Sequence, residues 1–371
     1  MHDIVWAAAP FFRSTETKIG RIKVILSAPP GYGDTVRLQL ALLKKALPFF
    51  EKSYGAYPYA TLKVIIPPRS GDGVAAMEYP ALFVSSGPWF VKGIFAAYPA
   101  LVTVHELAHQ WFYGIVASNE VEYAFLDEGL SEWSSLNFLQ MLSKTSSPLL
   151  PSSLHHIDPF DHLTSLLSHA LDATLPVSEY CQSDYAASVY SKTAATLETI
   201  KRIWGSEHLI KTLGHYARNF RFMHPTPDAL YAMFDEHYWP GFSKTIFRPL
   251  LRSQTAIDFR LRHVHSTRIG QQWHSEIYLS TNSPIPLPLW LSILHENGKT
   301  SRLALRFESG AIHLSHQSTS PIRRVVLDSE RSIVVDANPG NQQWPKSTVE
   351  KTQWFSKLLY AGQLLLGMVG P

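Results

Sequence analysis

The N-terminal part of the chain alternates between strand-like and helix-like spacing of its apolar positions. Ile22–Leu26 and Leu62–Ile66 are short apolar runs rich in Ile and Val, which predicts two β-strands. Between them, Val36–Tyr54 carries apolar residues at helical spacing and predicts an α-helix. The chain therefore begins with mixed α and β structure.

Helical patterns dominate the central part of the chain. Pro99 occupies a position typical of the first turn of a helix, and Ala100–Val116 continues the helical pattern. A second helix is predicted from about Leu126 to Leu142, and the pattern is helical again over 186–234. The connection over 145–184 is rich in Ser, Pro and His, which predicts a long loop.

Short strand patterns follow Pro240. Ile257, Phe259 and Leu261 alternate with charged residues, and further apolar runs are separated by Asn, Gly and Ser-Pro turns. These later runs are Ile277–Leu279, Leu303–Leu305 and Ile333–Val335. The spacing predicts a β-sandwich of about eighty residues that serves as a structural module. The predicted fold class is therefore α+β.

Composition narrows the class of protein. With 371 residues, 45% of them hydrophobic and 17% charged, the chain is globular and long enough for two or three domains. The formal charge of +3 comes from scattered Lys and Arg, so nucleic-acid binding is not expected. Seventeen His against one Cys exclude a disulfide framework and leave imidazole and carboxylate as the metal ligands. The lone thiol, Cys181, is predicted to be a small apolar filler.

The two ends of the chain bear on where the protein is expected to be located. Met1–Trp6 contains no basic region followed by an apolar stretch, so a cytoplasmic enzyme is the default expectation. Trp354–Pro371 contains a single charge, Lys357, and several glycines. This tail favours a helix docked on the protein or on a membrane surface over a true membrane span. Peripheral membrane contact through 354–371 and the oligomeric state stay open.

The strongest chemical signal is His105-Glu106-Leu107-Ala108-His109, followed by Glu128. On a helix, residues i and i+4 lie on one face, so His105 and His109 can reach a single ion. Glu128 on the next helix supplies a third ligand, and catalytic zinc takes three protein ligands. Glu106 points elsewhere and can act as a general base. The motif predicts a zinc hydrolase with one Zn²⁺ per chain.

An ordinary amphipathic helix face is the competing interpretation of this motif. The residues around it are apolar on nearly all sides, which indicates a buried site. They are Leu101, Val102, Val104, Leu107, Ala108, Trp111 and Phe112. Two buried imidazoles and a carboxylate need compensation for lost hydration, and a metal ion provides it.

The same residues resemble a known family. Val104–Phe112, with Leu126-Asp127-Glu128-Gly129 at its interval, is similar to the gluzincin zinc aminopeptidases of the aminopeptidase N family (membrane alanyl aminopeptidases), in their bacterial form. The resemblance implies a thermolysin-like zinc peptidase catalytic domain, followed by a small β-sandwich and here by a C-terminal apolar helix. It also implies a peptide substrate with a free N-terminus.

Further site residues follow from the resemblance. Ala75-Ala76-Met77-Glu78-Tyr79 resembles the family's Gly-x-Met-Glu-Asn segment, which contacts the substrate and whose glutamate binds the free α-amino group. Tyr190, in Tyr190-Ser191-Lys192, resembles the family's tyrosine that donates a hydrogen bond to the oxyanion. Tyr185 corresponds to a second tyrosine that lines the site in one branch of the family. Thr193 stands where the family has a glycine.

The resemblance also implies a division into domains. Residues 20–245 correspond to the catalytic domain and 255–340 to the β-sandwich, and residues 341–371 are expected to form an apolar, helical C-terminal tail. Residues 1–19 resemble the end of the family's large N-terminal β-domain, most of which this sequence lacks.

The leading hypothesis is a zinc aminopeptidase that hydrolyses N-terminal residues from peptides. One alternative is an endopeptidase or an epoxide hydrolase on the same scaffold. Glu78 argues against the endopeptidase, because a carboxylate that captures a free amine has no use in internal cleavage. Another alternative is a non-catalytic interaction protein that has kept a peptidase fold.

Overall fold

A computed structural model describes residues 4–68, 76–87, 97–150, 152, 155, 157–307 and 310–345 of the chain. Helices and one mixed sheet form the part up to Arg252, and strands form most of the part that follows. The fold is thus a mixture of helix and strand, as the sequence predicts.

The first sheet contains four strands in sequential order. Strand β1 (Arg13–Ile19) is antiparallel to β2 (Ile22–Ala28), which is parallel to β3 (Thr61–Ile65), which is parallel to β4 (Leu82–Val84). Helix α1 (Gly33–Tyr54) connects β2 to β3. The two predicted strands and the predicted helix are therefore present. Strand β1 lies in the same sheet as β2, β3 and β4. The domain division at residue 19 stays a prediction.

Seven further helices follow the sheet. They are α2 (Ala97–Ala108), α3 (Glu128–Lys144), α4 (Gln182–Tyr185), α5 (Thr193–Trp204), α6 (Ser206–Asn219), α7 (Pro227–His237) and α8 (Arg248–Arg252), with π-helical segments at Ala186–Lys192 and Ser243–Phe247, among the described residues. Helix α3 packs against α2 and α5, so the helix pair that carries the predicted metal ligands lies in the interior.

The predicted helix over Ala100–Val116 is too long, because α2 ends at Ala108. Beyond it, the amides of Gln110 and Trp111 bond to carbonyls three residues back instead of four, which tightens the last turn. The Trp111 indole then donates to the carbonyl oxygen of Gly55 at 2.8 Å. This side-chain bond connects the segment after α2 to the residue that follows α1.

Two antiparallel sheets occupy the region where the β-sandwich is predicted. The strands are β5 (Phe259–Ile269), β6 (Gln272–Thr281), β7 (Pro288–His295), β8 (Thr300–Arg306), β9 (Gly310–Ser318), β10 (Ile322–Leu327) and β11 (Gln343–Trp344). One sheet has the order β11-β10-β7-β8 and the other β5-β6-β9. The inward side chains of both sheets are buried in a common apolar core.

The predicted strand at Ile333–Val335 is wrong. This segment crosses to the helical part of the chain, where the amides of Val334 and Val335 donate to Thr199 Oγ1 at 2.9 and 3.2 Å. Arg202 of α5 also donates to the carbonyl oxygen of Arg331 at 2.8 Å. The segment therefore joins the two parts of the molecule instead of extending a sheet.

Two further expectations concern the surface. The apolar tail from Trp354 onward lies outside the described residues, and within the described ranges no helix is long and apolar enough to cross a membrane. Cys181 is exposed, so its prediction as a buried filler is wrong. Its thiol donates a hydrogen bond to Asp184 at 2.9 Å.

Candidate active site

The three predicted metal ligands meet at one point between α2 and α3. His105 lies in the last turn of α2 and His109 directly follows the end of that helix, and their Nε2 atoms are 3.0 Å apart. Glu128 is the first residue of α3, and its Oε2 lies 3.1 Å from each of these nitrogens. The convergence of two imidazoles and one carboxylate forms a donor set suited to zinc.

Two carboxylates fix the opposite nitrogens of the two histidines. Asp127 Oδ1 lies 2.6 Å from His109 Nδ1, and Glu132 Oε2 lies 3.0 Å from His105 Nδ1. An acceptor at Nδ1 favours a proton on that nitrogen and leaves the Nε2 lone pair for a metal. Neither carboxylate is among the site residues predicted from the sequence. The available signal was their spacing, because Asp127 precedes Glu128 and Glu132 follows it by one helical turn.

The charges of this cluster favour a cation at its centre. Burial alone would lower the pKa of His105, but hydrogen bonds with Glu128 and Glu132 raise it to about 10. Burial likewise opposes protonation of His109, yet Asp127 and Glu128 raise its pKa well above the usual value. The nearby imidazoles also keep the pKa of the Glu128 carboxyl low despite its burial. A divalent cation in place of the protons would satisfy the same carboxylates.

Glu106 is buried beside the cluster of His105, His109 and Glu128. Its side chain is only 3% exposed, and its Oε2 is fully buried and has no hydrogen-bond partner among the described residues. Burial raises the pKa of Glu106 to about 7, against the pull of His109 and His105. An orphaned buried carboxylate oxygen is costly in a purely structural role. Together with the donor set, it fits a site built for a metal ion and a reacting group.

The segment that carries Glu78 reaches the same site. Glu78 is buried, and its carboxylate lies within 4.8 Å of ligand atoms of His109 and Asp127. Met77 precedes it in a two-bond antiparallel bridge to Val84 of β4, with N···O distances of 3.0 and 2.8 Å. Burial is the main reason that the pKa of Glu78 is raised.

The predicted segment also includes Ala75 and Ala76, of which the structure describes only Ala76. Ala76 has a φ of 64°, a left-handed conformation that is unfavourable for a residue with a Cβ atom. Ala75 lies outside the described residues.

Tyr190 stacks against the metal-ligand cluster. Its ring stacks on that of His105, with the two centroids 5.8 Å apart. Burial and the Glu128 charge raise the pKa of Tyr190 well above its usual value, so it stays a protonated donor. Tyr190 lies in the π-helical segment Ala186–Lys192, and such segments are frequent at functional sites.

Tyr185 packs on the outer side of Tyr190. The two rings meet edge to face with centroids 5.7 Å apart. Burial raises the pKa of Tyr185, and the charges of Glu128 and Asp127 add to this effect. Tyr185 therefore lies at the edge of the same site.

Two aminopeptidases of yeast are among the proteins similar to this chain. Aminopeptidase 2, mitochondrial, of Saccharomyces cerevisiae is 26% identical over 359 residues, which cover 89% of this chain and 35% of that protein. Alanine/arginine aminopeptidase of the same yeast is 30% identical over 126 residues, or 33% of this chain and 14% of that protein. The chain thus spans about a third of the length of Aminopeptidase 2.

Solved structures give the same fold. Aminopeptidase A of Legionella pneumophila, crystallised in complex with aspartic acid, superimposes with a TM-score of 0.64 at 16% identity. The match covers 88% of this chain and 38% of that chain, and at this identity it supports the fold alone.

The profile of the Peptidase family M1 domain matches residues 38–246, which is more than half of the chain. The protein therefore belongs to peptidase family M1, whose aminopeptidases are zinc metalloproteases. The matched residues include α2, α3 and the segment that carries Tyr190.

Proposed function

We propose that this chain is a zinc-dependent aminopeptidase that hydrolyses the N-terminal peptide bond of peptides with a free N-terminus. The convergence of His105 Nε2, His109 Nε2 and Glu128 Oε2 beside the buried Glu106 carries the proposal. Glu78, on the neighbouring segment, gives the site its preference for the end of a peptide.

His105, His109 and Glu128 would bind the zinc ion. When bound, zinc supplies Lewis acidity toward a carbonyl group and toward water. Glu106 accepts the proton of the attacking water and later returns it to the departing amine, so that the C–N bond breaks and a carboxylic acid and an amine are released. Its pKa of about 7 suits both directions of this proton transfer.

Tyr190 and Glu78 bind the two polar ends of the substrate residue. The Tyr190 phenol donates a hydrogen bond to the oxygen that becomes negative in the tetrahedral transition state. The Glu78 carboxylate pairs with the α-ammonium group, which sets the distance between the free end and the scissile bond. Glu78 is supported in this role by its burial close to His109.

A panel of aminoacyl fluorogenic substrates tests the proposal. The wild-type chain should cleave free aminoacyl substrates, lose activity with a chelator and regain it with zinc. Glu106→Gln should bind stoichiometric zinc and lose at least a factor of about 10² in kcat, because it lacks the base.

The same panel separates the alternatives. Equal cleavage of N-acetylated and free substrates would favour an endopeptidase, and hydrolysis of an epoxide without peptide cleavage would favour an epoxide hydrolase. A purified chain that contains no stoichiometric zinc and stays inactive after zinc addition would favour an interaction protein.

A further inference from the structure

The side chain of Gln110 connects the metal-ligand helix to the segment that carries Glu78. Gln110 follows His109 directly and is fully buried. Its Oε1 accepts the amide of Ala81 at 2.9 Å, and its Nε2 donates to the carbonyl oxygen of Tyr79 at 3.0 Å. One side-chain amide thus bonds to two backbone groups of the turn Tyr79–Leu82, which directly follows Glu78.

The turn is also bonded to itself and to β4. The amide of Leu82 donates to the carbonyl oxygen of Tyr79 at 3.2 Å, and Met77 pairs with Val84 on the other side of Glu78. Ala81 has a φ of 61°, which is unfavourable for a residue with a Cβ atom. Tertiary bonds are therefore needed to stabilise this turn, and Gln110 supplies two of them.

The orientation of the Gln110 amide is determined by its neighbours. The Tyr57 hydroxyl donates to the same Oε1 at 3.3 Å, so two donors meet the carbonyl end and one acceptor meets the amino end. Tyr57 is fully buried as well. In such surroundings a wrongly oriented or missing amide leaves buried groups without partners.

We propose that Gln110 is a positioning residue that fixes Glu78 relative to His105, His109 and Glu128. This inference rests on the proposed function, in which Glu78 binds the substrate amine. Gln110 and His109 are adjacent in the chain, so the bonds to the turn and the metal-ligand set share one backbone. The distance between the amine-binding carboxylate and the scissile carbonyl depends on these bonds.

Gln110→Met tests the proposal, because Met has a similar length and makes neither bond. Gln342→Met is the matched control. Gln342 is also a buried glutamine, and its Nε2 donates to Asp336 at 2.7 Å, but it lies next to β11 in the C-terminal sheets. Both variants lose buried hydrogen bonds of a side-chain amide, so a general loss of stability affects both.

Hydrogen–deuterium exchange of the full chain measures, without any substrate, how well the turn is held by its hydrogen bonds. Peptides that cover residues 77–82 should exchange at least about tenfold faster in Gln110→Met than in wild type, since the amide of Ala81 loses its acceptor. Gln342→Met should leave their exchange unchanged. Unchanged exchange of this segment in Gln110→Met would overturn the proposal, whether or not the chain is an enzyme.

Steady-state kinetics measure how the substitution changes binding of the substrate's α-amino group. For free aminoacyl substrates, Gln110→Met should raise KM about tenfold and change kcat by less than about threefold, with zinc content as in wild type. Gln110→Glu keeps an acceptor for Ala81 and loses the donor to Tyr79, so its KM should fall between those of wild type and Gln110→Met. It is also the second variant if Gln110→Met does not fold.

The outcomes separate this inference from the proposed function. An inactive wild-type chain would contradict the aminopeptidase proposal. The exchange data would still decide whether Gln110 fixes the turn. An active wild type with the same KM as both Gln110 variants would sink the positioning role alone. A loss of zinc from Gln110→Met would also contradict it, because the residue would then act on the metal site.

Discussion

The backbone of Gly129 lies directly against the side chain of Thr193. A Cβ atom on Gly129 would lie 2.5 Å from Thr193 Cγ2 and 2.6 Å from its Cβ. Gly129 follows the metal-site residue Glu128 at the start of α3, and Thr193 begins α5, three residues after Tyr190. This contact therefore sets the distance between two parts of the candidate site.

Gly129→Ala should destabilise the protein by about 1–3 kcal/mol, because the added methyl group overlaps a fully buried side chain. Urea denaturation of the variant and the wild type measures the change in the free energy of unfolding. Gly33→Ala is the control, since a Cβ there meets only Arg37 at an ordinary 3.5 Å.

Thr193→Gly combined with Gly129→Ala should recover part of this loss. A double-mutant cycle should therefore give a favourable coupling energy of about 1 kcal/mol between the two positions. Strictly additive effects would mean that the two positions are not energetically coupled.

Glu132→Gln should weaken zinc binding about 10- to 100-fold, because a neutral amide is a poorer acceptor for His105 Nδ1 than a carboxylate. Competition with a chromogenic chelator measures the affinity. Glu207→Gln, an exposed change on α6, should bind zinc like wild type. Equal affinities for all three proteins would show that Glu132 does not support the metal site.

Tyr190→Phe should lower kcat for aminoacyl substrates by a factor of about 10²–10³, equivalent to about 2.7–4 kcal/mol. The phenol donor acts on charge that develops in the transition state, so KM and zinc content should change little. Tyr185→Phe is the comparison, and we expect a smaller loss from it. A KM effect alone in Tyr190→Phe would assign the hydroxyl to substrate binding.

Lys192 should make stability depend on pH in an alkaline window. Burial lowers its pKa from 10.5 to about 8, although its ammonium donates to the carbonyl oxygens of Leu171 and Ser253. Between these two pKa values the unfolded chain binds a proton that the folded chain does not. The free energy of unfolding therefore rises with pH through this window, and below about pH 8 both states are protonated.

Lys192→Met isolates this effect from the other titrating groups. The difference in unfolding free energy, wild type minus variant, should grow by roughly 1–3 kcal/mol between pH 7.5 and 10.5. Urea denaturation at several pH values measures it. A difference that is constant over this range would mean that Lys192 keeps an ordinary pKa.

The sequence by itself determined the features that depend on local spacing. The strands β2 and β3 and the helix α1 follow from the periodicity of apolar residues, and the spacing of His105 and His109 places both on one helical face. Resemblance to a family then selected Glu78 and Tyr190 as candidates. The structure brings all of these side chains to one site.

Only the tertiary structure decided the features whose partners are distant in the chain. Ile333–Val335 lies outside the sheets, because the amides of Val334 and Val335 donate to the distant side chain of Thr199. The bonds of Glu132 to His105 and of Gln110 to the Tyr79 turn are equally invisible in local sequence. Buried polar groups take whichever partner the packed chain brings within reach, and periodicity contains no information about that partner.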